Sequence, residues 1–453
     1  MKKLLLLIIL FISIAGKAQK PALPPKPIQP LPNFNATLFD PSAVSGYFFF
    51  ASNDHLIIMD NEGNVIYCRT VQGAFDFTVT EDNRMMFTQR NKTYLMNSDF
   101  KPVDSLECKN GYYIDAHDRL VLPDGHFLLL CDEKIKVDFT KYPEWKNKWV
   151  RDTIGVAAGI IQELDAQHNV VFEWHAKDHF EISDADIFFD SNTGTAQWTH
   201  CNAFALDEDG NILLSSRDFN EITKINRKDG SIMWRLGGKK NEFTFVNCPV
   251  PFYGQHNIRK LPNGHFTLFD DGQHTVSHGA RAIEFELDEV KKVFTLVWSY
   301  TFDDDMSCNG RGSVQRLADG NTVICYGNPT WSDICFVVVN QKGNKLLQVN
   351  GPLGTYRVAN VPSLPFKLNQ PKINCFDSAG TKYLDAGAGH NSYLWSNGDT
   401  TRVIPVKQTD AYSVFIPYEK GGFVCSEKFV VKNISKPCNS AGNIRKKKKG
   451  DKK

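Results

Sequence analysis

Three histidines occupy one recurring position in this chain of 453 residues: His117 in Asp-Ala-His-Asp, His200 in Trp-Thr-His-Cys-Asn and His256 in Gly-Gln-His-Asn. Each opens a short apolar run that ends in a turn, at Asp124-Gly125, Asp209-Gly210 and Asn263-Gly264. An imidazole with a pKa of about 6.5 is largely neutral at pH 7, so its ring nitrogen can attack an electrophile, move a proton or bind a metal. Any one of them alone reads as a structural histidine. Three at one repeat position read as a site. Arg217, in Leu-Leu-Ser-Ser-Arg, adds a planar fork of five donors suited to a tetrahedral oxyanion such as sulfate or phosphate. Arg311 stands near the equivalent place in a later copy of the repeat. Asp118, Asp270 and Asp271 are close enough in sequence to orient imidazoles, but each reads first as a solvated turn residue.

The elements that must position these residues are short alternating strands. Phe75–Asn83, His117–Gly125, His200–Gly210, His256–Gly264 and Gly312–Gly320 align on their turns, and each is followed by a second apolar run. Asp-Gly and Asn-Gly between such runs are the strongest short hairpin signal. A second hairpin of a different kind follows each first one, as in Glu221–Ile225 with Ser231–Leu236. Tyr47–Cys68 makes a partial sixth copy. Four strands repeated six times indicate an all-β chain whose residues 47–360 form a six-bladed β-propeller. The first strand of each blade lines the axis, so the three imidazoles are expected to converge at one mouth of the channel.

Residues 371–436 differ from the repeat. Their short strands and the turns at Asn397-Gly398 and Gly421-Gly422 indicate a small immunoglobulin-like β-sandwich. Leu384–Gly398 resembles modules at the C-terminus of exported Bacteroidetes proteins. That resemblance implies a spacer, with cell-surface contact as the alternative.

The stretch from Trp198-Thr-His200-Cys-Asn202 through Arg217 to Gly230-Ser-Ile-Met-Trp234-Arg-Leu-Gly-Gly238 resembles bacterial arylsulfate sulfotransferases. So does Gly-Gln-His256-Asn257 with Leu-Pro-Asn-Gly264, Phe-Asp-Asp-Gly272 and Arg281-Ala-Ile-Glu284. The likeness covers about residues 110–330. It implies an exported six-bladed propeller that moves a sulfuryl group from a phenolic sulfate ester to a phenol, with no cofactor and no nucleotide sulfate donor. His256 matches the histidine that is transiently sulfated. His117, His200 and Arg217 match groups that bind the sulfuryl oxygens and the bridging oxygen, while Trp198, Asn202, Asn257 and Arg311 are candidate substrate-binding residues. The family's N-terminal β-sandwich has no counterpart here. Its disulfide-closed loop before the nucleophile has only Cys248 to offer.

The remaining sequence sets the context. With 52 Lys+Arg against 51 Asp+Glu, the near-neutral balance argues against a nucleic-acid partner. Met1-Lys2-Lys3, the apolar run Leu4–Ile14 and the small residues ending at Ala18 form a signal-peptide pattern over 1–18, too short to span a bilayer. A proline-rich linker over 19–46 and a basic, solvated tail over 437–453 complete the chain. The expected destination is the periplasm or the cell surface. Eleven cysteines permit disulfides in such a compartment. Cys375 with Cys425 is the expected pair, with Cys438 competing for either, and the others read as buried thiols.

Two other functions fit the same residues. One is a non-catalytic propeller that holds a sulfated or anionic ligand. The other is a metal-dependent lyase or hydrolase built on the three histidines.

Overall fold

The computed structural model describes residues 33–143, 152–186, 189–190, 195–272, 279–302 and 306–438. The signal-peptide pattern, residues 19–32 of the linker and residues 439–453 of the tail lie outside them. Among the described residues the fold is all β, with a few single-turn 3-10 segments, and no helix is long and apolar enough to cross a membrane.

Six antiparallel sheets follow one another along the chain, a propeller-like arrangement. The second runs Ala74–Val79, Met85–Gln89, Lys92–Met96, Pro102–Leu106 from its inner to its outer edge. The third is built on Tyr113–Val121, Phe127–Asp138, Thr153–Leu164 and Val170–His175, and the fourth on Cys201–Leu206, Ile212–Ser216, Glu221–Ile225 and Ile232–Gly237. The fifth uses His256–Lys260, Phe266–Asp270, Arg281–Asp288 and Val293–Thr301. The sixth uses Ser313–Arg316, Thr322–Cys325, Ile334–Val339 and Lys345–Asn350. Middle strands such as Ile334–Val339 are buried on both faces because each sheet is sandwiched between two others, and they therefore read as continuous apolar runs. The hairpin turns need left-handed backbone, supplied by Gly125 (φ +84°) and Gly264 (φ +88°), with Asn83 (φ +62°) in the same role in the second sheet.

The first sheet differs from its sequence reading. Tyr47–Ser52, His55–Met59 and Val65–Thr70 form three of its strands, and the inner fourth comes from Ala359–Val361, paired Tyr47 to Val361. Gln315 and Asn360 exchange side-chain to backbone hydrogen bonds of 3.0 and 2.7 Å, which tie this strand to the sixth sheet. Part of the expected linker is also structured. Asn35–Leu38 pairs with Lys345–Asn350, since the four residues carry no proline and the outer edge of the sixth sheet offers free backbone groups.

The C-terminal segment is built from small sheets, and one of them joins the first sheet. Phe423–Cys425 pairs with the outer strand Val65–Thr70 and continues through Val414–Pro417 to Leu394–Trp395. Trp395, Val414, Ile416 and Val424 share one core with Phe49, Tyr67 and Phe77. The expected disulfide is corrected. Cys375 bonds Cys438, with a Cα–Cα separation of 5.5 Å, and the Asp377 carboxylate holds the Cys438 N–H at 2.8 Å beside it. Cys425 sits in the strand shared with the first sheet, and burial pushes its thiol up to about 12. A second disulfide, Cys108–Cys131, replaces two of the expected buried thiols.

Candidate active site

The inner edges of the third, fourth and fifth sheets bring three imidazoles together. His117 projects from Tyr113–Val121, His200 immediately precedes Cys201–Leu206, and His256 opens His256–Lys260. Ring centroids are 4.7 Å apart for His117 and His200, 6.3 Å for His200 and His256, and 6.4 Å for His117 and His256. Arg217 follows Ile212–Ser216, and its N–H donates to the His200 carbonyl at 3.1 Å, fixing the two on adjacent strands. Its guanidinium, braced by the Asp218 carboxylate at 2.8 Å, faces the same space as His256. A methyl group placed on Gly310 would lie 3.6 Å from Arg217 Nη1 and 3.9 Å from His256 Cε1.

Hydrogen bonds assign the tautomer of His256. Nε2 accepts the Arg311 backbone N–H at 3.1 Å, while Nδ1 lies 2.9 Å from the Gly254 carbonyl and 3.2 Å from Asp271 Oδ2. The proton therefore sits on Nδ1 and the lone pair on Nε2. His117 contacts Asp115 through Nδ1, and its backbone N–H donates to the same carboxylate oxygen at 2.7 Å. Neither ring nitrogen of His200 has a hydrogen-bond partner among the described residues, although both are buried. Two buried polar atoms without partners are costly unless a ligand satisfies them.

Burial, then the Arg217 charge, then the neighbouring imidazoles hold His200 well below the ordinary histidine range. Burial, Arg217 and His117 do the same to His256, against a smaller opposing effect of the Gly254 carbonyl. Both rings are neutral at pH 7, so both keep a lone pair. Burial pushes the Asp271 carboxyl well up, helped by Asp270 and opposed by Arg217. The structure corrects its reading as a solvated turn residue, because Asp271 is fully buried beside His256. Asp118 and Asp270 are likewise buried, and both hold arginines: Asp118 binds Arg259 and Arg357, and Asp270 binds Arg281.

Of the four candidate substrate-binding residues, only Arg311 stands among the imidazoles. Its guanidinium binds the Gly354 carbonyl and lies 5.7 Å from the Phe75 ring centroid. Trp198 is packed in the core, 5.9 Å from Phe219, since its bulk fills the space between sheets. Asn202 is a buried strut whose side chain donates to the Gln255 carbonyl at 2.7 Å. Asn257, at φ +60°, accepts the Val314 N–H at 3.0 Å and joins the fifth sheet to the sixth.

Residues not singled out from the sequence complete the wall. Tyr356 lies 5.4 Å from His117 and 4.4 Å from Phe75, and its hydroxyl donates to the Asn202 carbonyl at 3.1 Å. Asp115 was detectable: two residues before His117 on a strand, it must share its face. Tyr356 gave no such signal, since it lies beyond the last repeat.

The three imidazoles are the metal-binding set to consider, with one ligand atom of each within 4.8 Å of the others. Zinc at about 2.1 Å from each of its nitrogens would draw them closer than that. Both nitrogens of His256 are engaged and a guanidinium adjoins the set, so the arrangement fits an anion better than a cation.

Successive sheets that bring imidazoles and a guanidinium together define an all-β, propeller-like protein with a candidate site. The family model described as Arylsulfotransferase (ASST) matches residues 35–348, and the chain belongs to that family. No curated protein matches it. Similar solved structures include a Bacteroides caccae protein of unknown function, with 12% identity over 69% of this chain and 98% of that one and a TM-score of 0.44. Another is a Staphylococcus aureus virginiamycin B lyase with quinupristin, with 11% identity over 78% and 96% and a TM-score of 0.35. A third is a Xanthomonas campestris gluconolactonase, with 12% identity over 70% and 90% and a TM-score of 0.36. Likenesses this distant carry no argument about function.

Proposed function

We propose that this chain is a six-bladed β-propeller enzyme that moves a sulfuryl group from a phenolic sulfate ester to a phenol, without a nucleotide donor, through a sulfohistidine at His256. The observation that carries this reading is the unprotonated His256 Nε2 in a buried site beside Arg217, His200 and His117. Nε2 attacks sulfur, an N–S bond forms, and the S–O bond to the phenolic oxygen breaks. The departing oxygen takes a proton from His117 or His200, whichever enters the step as an imidazolium. In the second half-reaction the acceptor phenol returns a proton to that imidazole as its oxygen attacks sulfur and the N–S bond breaks. Arg217 offers fixed positive charge to the sulfuryl oxygens, and His200 offers its unpartnered ring to the same group. By analogy with phosphoryl transfer, a loose transition state needs such positioning and charge more than a strong nucleophile.

The test is mass spectrometry of protein treated with a chromogenic phenyl sulfate: a sulfonated His256 peptide is expected. Well-folded protein that transfers nothing from a broad donor panel would sink the proposal. One observation favours the binding-only alternative, namely the Arg311 N–H that occupies the Nε2 lone pair. Under that alternative His256→Ala still binds an aryl sulfate and no sulfonated peptide forms.

The proposal extends to the rest of the chain. Two disulfides accord with export to the periplasm or cell surface after removal of residues 1–18, which N-terminal sequencing of the mature protein checks. The C-terminal segment is proposed as an immunoglobulin-like module that serves as a spacer, with surface contact as the alternative role. Deleting it without loss of surface retention would exclude that role.

A further inference from the structure

Asp115 and Asp132 form a pair of acidic side chains directly behind His117. Asp115 precedes His117 by two residues on Tyr113–Val121, and the two side chains are in contact. Asp132 lies on the neighbouring strand Phe127–Asp138, where the register shifts by a bulge between Leu129 and Cys131. Asp132 stands opposite Tyr113, so on that face of the sheet it neighbours Asp115, two residues further along, and the two carboxyls are within hydrogen-bonding reach. The Cys108–Cys131 disulfide pins the strand at the adjacent residue. Around the pair lie His117, the Cys201 thiol, pushed up to about 12 chiefly by burial, and Tyr356. Among the described residues, no ion pair to a lysine or arginine is recorded for either carboxyl.

We propose that Asp115 and Asp132 hold one proton between them and act as positioning residues, making His117, rather than His200, the group that gives the proton to the departing phenolic oxygen. This inference rests on the sulfuryl-transfer reading and assigns within it a role left open there. Two carboxylates in contact cannot both stay charged in a site with little water. Burial, with Asp115 adding to it, pushes the Asp132 carboxyl well above the ordinary range. Asp132 is then the acid and donates its O–H to the Asp115 carboxylate. Asp115 in turn accepts the His117 Nδ1–H, which aims Nε2 at the site and steadies the ring when both nitrogens carry protons. The protons balance. The Nε2 proton of the His117 imidazolium passes to the leaving oxygen as the S–O bond breaks, and the acceptor phenol returns one to Nε2. The Asp132 proton never leaves the pair. Among the described residues His200 has no such support, since neither of its nitrogens meets a carboxylate.

The experiment compares two donors, nitrophenyl sulfate, whose phenolate leaves readily, and phenyl sulfate, whose phenolate needs a proton. Asp115→Asn should lower kcat/KM about 100-fold for phenyl sulfate and only a few-fold for nitrophenyl sulfate. It should still form the sulfonated His256 peptide with the nitrophenyl donor, which shows that the site remains folded. Asp132→Leu should lose activity on the same pattern, and Asp132→Asn, whose amide can donate as the acid did, should restore most of it. Infrared spectra of the ligand-free protein should show a protonated-carboxyl band that Asp132→Asn removes. Equal losses on both donors, no rescue by asparagine, or absence of the band would each overturn the inference while leaving sulfuryl transfer standing. Wild-type protein inactive on both donors would instead sink the sulfotransferase reading, and the infrared band would still decide whether the pair shares a proton.

Discussion

His256 Nε2 accepts the backbone N–H of Arg311 at 3.1 Å, so the proposed nucleophile is capped by a peptide group from the approach to the sixth sheet. Arg311 sits at φ +73° between Gly310 at +94° and Gly312 at +108°. Donor binding must move this peptide before sulfur can approach.

Gly310→Ala tests that movement. The added methyl would sit in ordinary contact with Arg217 and His256, 3.6 and 3.9 Å away, but at a backbone angle that alanine resists, at a cost of about 1–3 kcal/mol. We expect kcat/KM on nitrophenyl sulfate to fall at least about 10-fold, with a melting temperature lowered by only about 5 °C. Unchanged turnover would show that the segment does not have to shift.

Arg217 bears on both rate and acidity. Arg217→Lys keeps the charge but loses the planar fork, and kcat/KM should drop about 100-fold, as for loss of one donor to a developing oxyanion. Arg217→Ala removes the charge that follows burial in holding His200 and His256 down. Their pKa values should then rise, each ring should protonate at higher pH, and the acid limb of the pH–rate profile should move upward. An unmoved limb would mean that these imidazoles do not govern the rate.

Asp118 anchors the polar network of the inner strands. It accepts Arg259 Nη2 at 3.0 Å, Arg357 Nη1 at 2.7 Å and the Phe204 N–H at 3.0 Å. Burial raises its pKa, but the two arginines outweigh this and hold it well below the ordinary carboxylate range. Its contribution to stability is therefore present above about pH 4 and lost as pH falls through the depressed folded value. Asp118→Asn should destabilise by about 3–5 kcal/mol in a urea melt at pH 7, and by less as the solution is acidified. A variant as stable as wild type would rule out this anchoring role.

Non-reducing peptide mapping should recover Cys108 linked to Cys131 and Cys375 linked to Cys438. Cys425→Ser should leave both links intact. Cys375→Ser should cost about 2–4 kcal/mol and leave the Cys108–Cys131 link in place. Recovery of a Cys375–Cys425 peptide would contradict the fold of the C-terminal segment.

The repeat was visible in the sequence because Asp-Gly and Asn-Gly turns recur between apolar runs, and a histidine stands shortly ahead of three of them. Long-range pairing was not visible. Three residues, Ala359–Val361, are too few to show periodicity, and their partner Tyr47–Ser52 lies some three hundred residues earlier in the chain. The link from Phe423–Cys425 to Val65–Thr70 is equally non-local, and so the C-terminal segment read as a separate sandwich. Motif likeness pointed to His117, His200, His256 and Arg217, which the fold gathers in one place, but could not separate contact from support. Asn202 and Asn257 lie beside the histidines in sequence, yet both serve as struts. Asp271 read as solvated because its turn chemistry is local, whereas its burial is set by how neighbouring sheets pack.

The inner strand Ala359–Val361 also has a consequence for how the molecule is made. The first sheet is begun by the earliest of the repeated segments to be synthesised and finished by a strand that follows all of them. Until residue 361 has emerged, that sheet waits with an open inner edge, ready to pair with whatever backbone it meets. A chain stalled or clipped ahead of that point would expose this edge, and its expected fate is self-association rather than a smaller working domain.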